Sequence, residues 1–127
     1  MKRYCDEVTK RGLIGKVFLE GDITPFIPFF QDLEPGHIIL QWEYGDPALV
    51  KEKLGKIVTL CGGYQAYYLG RASVEEAVNH ARDVVDICAS DGRYIFLTDK
   101  FISFPGDAKA ENIIAVNNFL KEYKIPN

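Results

Sequence analysis

Seven polar residues stand at the ends of short apolar runs. Glu20 and Asp22 follow Val17-Phe18-Leu19, Gln41 and Glu43 follow Ile38-Ile39-Leu40, Cys61 follows Ile57-Val58-Thr59-Leu60, and Asp99 and Lys100 follow Tyr94-Ile95-Phe96-Leu97. A carboxylate that closes an apolar strand is expensive to bury without use, which makes Glu20 a candidate catalytic group. Its bland alternative is a solvated loop residue. Asp99 and Lys100 place a carboxylate beside an ammonium, a pair able to hold an anionic substrate or to shift each other's protonation. They are the other two catalytic candidates, against the alternative of a surface ion pair. Gln41 and Glu43 are two residues apart and therefore look the same way along a strand. With Asp22, Cys61 and Tyr64 they form the candidate substrate-binding set. Cys61 is read either as a site thiol or as a small buried apolar residue. The cluster Tyr64, Tyr67 and Tyr68 reads either as the wall of a pocket for a flat ligand or as the packing of a short helix. His37 precedes its strand and His80 lies in mid-helix, so both read as structural or solvated.

The elements that must position these residues are four strands, each followed by a segment with helical spacing. The strands are Gly15–Asp22, Ile38–Glu43, Ile57–Gly63 and Tyr94–Lys100. Strand then helix, four times over, predicts an α/β fold of four parallel βα units, half of a (βα)8 barrel, in which the carboxyl ends of the strands build the active site. A short helix, Lys2 to Arg11, precedes them and stops at Gly12. Thr24-Pro25 opens a short helix that buries Phe26, Phe29 and Phe30, and Asp46-Pro47 opens another over Ala48 to Leu54. Ser73-Val-Glu-Glu76 is a capping box at the head of the longest helix, Val74 to about Cys88. Asp107 is expected to cap the last helix, whose apolar positions include Ile113, Val116 and Phe119.

Composition narrows the class. With 127 residues, 47% of them hydrophobic and 26% charged, the chain reads as one globular domain, 1-127, and a disordered chain is excluded. A net charge of −3 without any basic block argues against nucleic acid as a partner. No apolar run reaches the roughly 18 residues of a membrane span, and the first residues lack the apolar core of a signal peptide. A cytoplasmic protein with no membrane partner is the expectation. Three widely spaced cysteines, Cys5, Cys61 and Cys88, read as free thiols.

Six stretches together resemble a known family. They are Phe18-Leu-Glu-Gly-Asp-Ile-Thr-Pro25, Asp46-Pro47, Lys51-Glu-Lys-Leu-Gly55, Leu60-Cys-Gly-Gly63, Ser73-Val-Glu-Glu-Ala77 and Asp107-Ala-Lys-Ala-Glu-Asn112. From Met1 onward the chain resembles the carboxyl-terminal half of the uroporphyrinogen decarboxylase superfamily, which includes the corrinoid-dependent methyltransferases. The resemblance implies strands five to eight of a full barrel, lyase or methyltransferase-like chemistry, and a tetrapyrrole or methyl-group substrate. No cofactor is implied by a decarboxylase-like chemistry, whereas a methyltransferase-like one implies a corrinoid partner. Methyltransferase members carry zinc through a histidine and a cysteine where this chain has Phe18 and Glu20, so no zinc site is expected. The Gly-His-Gly signature of the decarboxylases is replaced here by Thr98-Asp-Lys-Phe101.

The resulting expectation is a half-barrel enzyme module, a fragment of a longer enzyme or a split form, inactive without the other half. A non-catalytic module that binds a small molecule or a partner is the competing class, and redox chemistry at Cys61 a third. Four strands cannot fill a barrel that needs about eight. An apolar inner face of Ile39, Val58, Ile95 and Leu97 is therefore expected to be covered by a homodimer partner or a complementary half-barrel chain.

Overall fold

Alternate residues of each strand meet different surroundings, and this division organises the molecule. The computed structural model describes residues 1–125, so Pro126 and Asn127 of the expected domain lie outside it. Its strands are β1 (Gly15–Asp22), β2 (Ile38–Tyr44), β3 (Thr59–Gly62) and β4 (Tyr94–Ile95), all parallel and ordered β1-β2-β3-β4. The helices are α1 (Lys2–Lys10), α2 (Ile27–Gln31), α3 (Pro47–Leu54), α4 (Ala66–Gly70), α5 (Val74–Cys88) and α6 (Ala110–Glu122). The α/β class and the parallel order agree with the strand-helix alternation of the sequence.

Ile38, Leu40, Trp42, Val58 and Leu60 point to one face of the sheet and are buried there with Cys5 and Val8 of α1, Ile27 and Phe30 of α2, Val50 and Leu54 of α3, and Val84 and Cys88 of α5. Parallel neighbours in sequence order, joined by crossovers of one hand, place their helices on one side. The register puts Lys16, Ile39 and Thr59 in one row of the opposite face, and Phe18, Gln41, Cys61 and Ile95 in the next. Of these helices α1 reaches a residue of those rows, where the Tyr4 hydroxyl donates to the Lys16 carbonyl at 3.5 Å. Val58, expected on the inner face with Ile39 and Ile95, belongs instead to the helix-covered side, because it precedes Thr59 by one residue and a strand turns each successive side chain over. Leu97 lies beyond the last ladder pair of β4.

The second cluster joins Ala77 and Ala81 of α5 to Tyr64, Leu69 of α4 and Val116 of α6, so α5 is shared by both. Its start is the predicted capping box, with Ser73 and Glu76 bonded reciprocally. Its end is held by Lys51, whose ammonium donates to the Cys88 carbonyl at 2.8 Å and pairs with the Asp91 carboxylate. A cation on the last carbonyls complements the helix dipole.

Three local expectations are corrected. The third strand starts at Thr59 rather than Ile57, because the amides of Ile57 and Val58 both turn back to the Leu54 carbonyl at the end of α3. The fourth strand is two residues long, followed by one bridge between Tyr64 and Thr98, because the ladder is interrupted at Gly62 and Gly63, whose φ of 107° and 82° lie outside the strand conformation. Asp107 does not cap α6, which begins three residues later with Lys109 at its cap. The Asp107 carboxylate instead accepts the amides of Ser103 and Phe104, both at 2.9 Å, and closes the loop before the helix.

Lys51→Ala should therefore lower the unfolding free energy by about 2 kcal/mol, the scale of a hydrogen bond to a charged group at a partly buried site. Urea unfolding followed by far-ultraviolet circular dichroism measures it, and an unchanged midpoint would show that the ammonium adds nothing to α5.

Candidate functional site

The carboxyl ends of the strands are tied together by one carboxylate. Glu43, at the end of β2, accepts the Gly21 amide at 3.0 Å and lies 3.7 Å from the Lys100 ammonium. Gly21 sits at φ 89° in the irregular step between Leu19 and Asp22, a conformation that suits glycine and turns its amide across to the neighbouring strand. Glu43 thus joins the end of β1 to the segment after β4. Lys100 pairs with Glu43, not with its neighbour Asp99, whose carboxylate is engaged by the Ala66 amide.

Asp99 faces the other way and is 5% exposed, with its carboxylate accepting the Ala66 amide at 2.9 Å at the start of α4. Gln41 is 1% exposed, beneath the segment that follows β4. Its amide nitrogen donates to the Thr98 carbonyl at 3.1 Å, while its Oε1 has no hydrogen-bond partner among the described residues. Leaving such an acceptor unpaired costs about 1 to 3 kcal/mol. Phe18 completes the same row by meeting Phe101 edge to face, with ring centres 5.8 Å apart. Residues 98–101 therefore roof the upper part of the uncovered sheet face through Gln41, Glu43 and Phe18. Below the roof, Lys16 and Ile95 are exposed and Ile39 and Thr59 half-buried.

The other expected site residues have structural surroundings. Glu20 is exposed on the rim, on the same side as Phe18. Asp22 folds back to accept the Thr24 amide at 2.8 Å, and that bond holds its carboxyl below the usual carboxylate range. Cys61 is 2% exposed, and burial pushes its thiol up, away from the thiolate that redox or nucleophilic chemistry requires. Tyr64 is wholly buried, its hydroxyl donating to the Ala77 carbonyl at 3.2 Å, and burial pushes it up to about 12. Its ring presents no surface to a ligand and fixes α5 against the strand ends. Of the candidates, Glu43 and Lys100 meet at the rim and Glu20 is exposed; Gln41 and Cys61 are buried side by side in one row of the face opposite the helices, while Asp22, Asp99 and Tyr64 are turned into turns or core. Among the described residues no group of three or more His, Cys, Asp or Glu side chains is placed to hold a metal ion.

A cleft of about 500 Å³ adjoins the rim, between α4 and the loop 101–107, and Lys100 belongs to both. Tyr67, Arg71, Phe101, Phe104 and Asp107 complete its walls. The two walls touch where Gly70 meets the Asp107 backbone so closely that no side chain fits there. Sequence reasoning passed over Arg71, Phe101 and Phe104; the signal was two phenylalanines in a loop with no helical face to bury them. Burying a phenylalanine side chain is worth about 1.5 to 3 kcal/mol, yet Phe101 and Phe104 remain 68% and 72% exposed.

No protein-family model matches the chain, and no curated protein matches it. No helix among the described residues is long and apolar enough to cross a membrane.

Behind the rim, His80 stacks on Tyr68 with ring centres 4.0 Å apart and accepts the Gln65 amide on Nε2 at 3.2 Å. Both contacts suit the neutral ring. Burial holds its pKa below the ordinary imidazole value, against the opposing pull of Asp83 and Asp99. An unfolded histidine binds its proton at about pH 6.5, above the folded value. The stabilisation is therefore full above about pH 6.5 and is lost as pH falls through the folded value. Thermal unfolding midpoints should decline just below that pH, and His80→Gln should flatten the decline; an equal slope in both proteins would refute it.

Proposed function

We propose that the chain is a half-barrel of the uroporphyrinogen decarboxylase and corrinoid methyltransferase type, supplying the carboxyl-terminal rim of an active site for a tetrapyrrole or methyl-group substrate. The single observation that supports this most is the one-sided winding: the helices of the first core cluster all lie on one face of a parallel sheet in sequence order, and the other face carries Lys16, Phe18, Ile39, Gln41 and Ile95. A sheet wound in both directions would have helices on each face. In a (βα)8 barrel the uncovered face becomes the interior and the carboxyl ends carry the chemistry. In this reading Glu20 and Lys100 act at the rim and Glu43 holds Lys100 in place.

The half-barrel is completed by a second copy or by a complementary half. The outer edge of β1 has no strand partner among the described residues, and edges of this kind recruit further strands. A second reading, a binding module without turnover, is favoured by the seating of residues 98–101 on the sheet face and by the engagement of Asp99 with the Ala66 amide.

Sedimentation velocity at micromolar concentration should show a dimer. Ile95→Lys, at a position 43% exposed in the single chain, should leave the circular dichroism unchanged and return the protein to a monomer. The dimer is then assayed for loss of carboxylate from uroporphyrinogen and for methyl transfer to reduced cobalamin. A monomer at every concentration sinks the paired half-barrel. A dimer that binds either compound without turning it over selects the second reading.

A further inference from the structure

The cleft between α4 and the loop 101–107 has a composition that the rim does not explain. Three aromatic rings and two cations line it, and all three rings, Tyr67, Phe101 and Phe104, are more than half exposed, at 64%, 68% and 72%. Single exposed apolar residues are ordinary, but several around one concavity mark a binding surface. The Arg71 guanidinium makes no ion pair or hydrogen bond to a side chain among the described residues. Asp107, the one acid on the wall, does not neutralise it. The Ser103 and Phe104 amides take up the Asp107 carboxylate and are the main cause of its lowered pKa, to which the Arg71 charge adds. Lys100, the second cation of the cleft, lies 3.7 Å from the Glu43 carboxylate.

The loop that carries the rings is built in advance. Asp107 ties down both Ser103 and Phe104, the Asp107 amide returns to the Phe104 carbonyl at 3.0 Å, and the Lys109 amide bonds the Leu69 carbonyl of α4 at 2.9 Å. One edge of Phe101 rests on Phe18, which leaves its remaining surface to the cleft. A planar guanidinium free of partners grips a carboxylate or phosphate with two parallel hydrogen bonds, and aromatic walls take the flat apolar body attached to it.

We propose that this cleft binds a small aryl acid, with its carboxylate or phosphate on Arg71 and Lys100 and its ring against Phe101, Phe104 and Tyr67. The volume of about 500 Å³ suits a ligand of one or two fused rings. The inference does not rest on the half-barrel reading, since every lining residue comes from this chain.

The test titrates the full chain with 8-anilinonaphthalene-1-sulfonate, a flat aryl sulfonate, and follows fluorescence; benzoate and phenyl phosphate then compete in separate arms. One site per chain is expected, weakened by added salt and displaced by at least one competitor. Stronger displacement by one competitor names the acid group. Arg71→Ala and Phe104→Ala, both at exposed positions and so without folding risk, should each weaken binding about tenfold, the effect of losing one charged hydrogen bond or one ring contact. Arg71→Lys should recover only part of the loss, because an ammonium cannot make the paired bonds. Probe binding that is equal in all these variants, or that only Ile95→Lys alters, would place it on the open sheet face and overturn the proposal. Failure of both acids to compete would overturn it as well.

Discussion

The structure depends on the one-handed return of each helix to the same face of a parallel sheet. Each strand is followed by a segment that comes back to start the next strand alongside it, in the order β1-β2-β3-β4. The packing that drives folding is therefore concentrated on one side, where Leu40, Trp42, Val50, Leu54, Val58 and Leu60 are almost wholly buried. The other side is left to short-range solutions. Its upper rows are roofed by residues 98–101, and its lower rows keep Lys16, Ile39 and Thr59 partly open.

That division also decides where polar groups can stay unpaired. On the helix side a buried polar atom would have only apolar neighbours, and Tyr64 satisfies its hydroxyl on the Ala77 carbonyl. On the roofed side Gln41 keeps one oxygen without a partner among the described residues, in the row between Phe18 and Cys61. Glu43 stabilises the same region differently, by accepting a backbone amide from one strand end and facing an ammonium from another. Because Lys100 lines the cleft as well, charge at the rim and charge in the cleft are coupled through one side chain.

Glycines set the transitions between these regions. Gly63, at φ 82°, lies against the Trp42 ring so closely that an added methyl would sit 3.1 Å from it. Bulk there would push the end of β3 off the core, and with it Tyr64 and the start of α4. Gly70 performs the matching role at the far end of α4, where the absence of a side chain lets the loop before α6 close against it.

Local chemistry in the sequence determined the class, the parallel order, and the caps that begin α3 and α5. Asp46-Pro47 and the Ser73–Glu76 box need only their own neighbours, so they are legible without the fold. So was the placement of Glu20 and Glu43 near strand ends, since that follows from where apolar runs stop, whereas Lys100, expected at a strand end, lies five residues past the end of β4. What the tertiary structure alone decided is which polar groups remain free. Asp99, Asp22 and Asp107 are spent on the amides of Ala66, Thr24, Ser103 and Phe104. Asp22 finds its donor two residues on, but Asp99 finds one 33 residues back, which no spacing rule reveals. Arg71 and Phe104 likewise become wall-mates only because α4 and the last loop meet at Gly70, a contact between segments distant in sequence and held by the Lys109 amide on the Leu69 carbonyl and by Asn112 on the carbonyls at the end of α4.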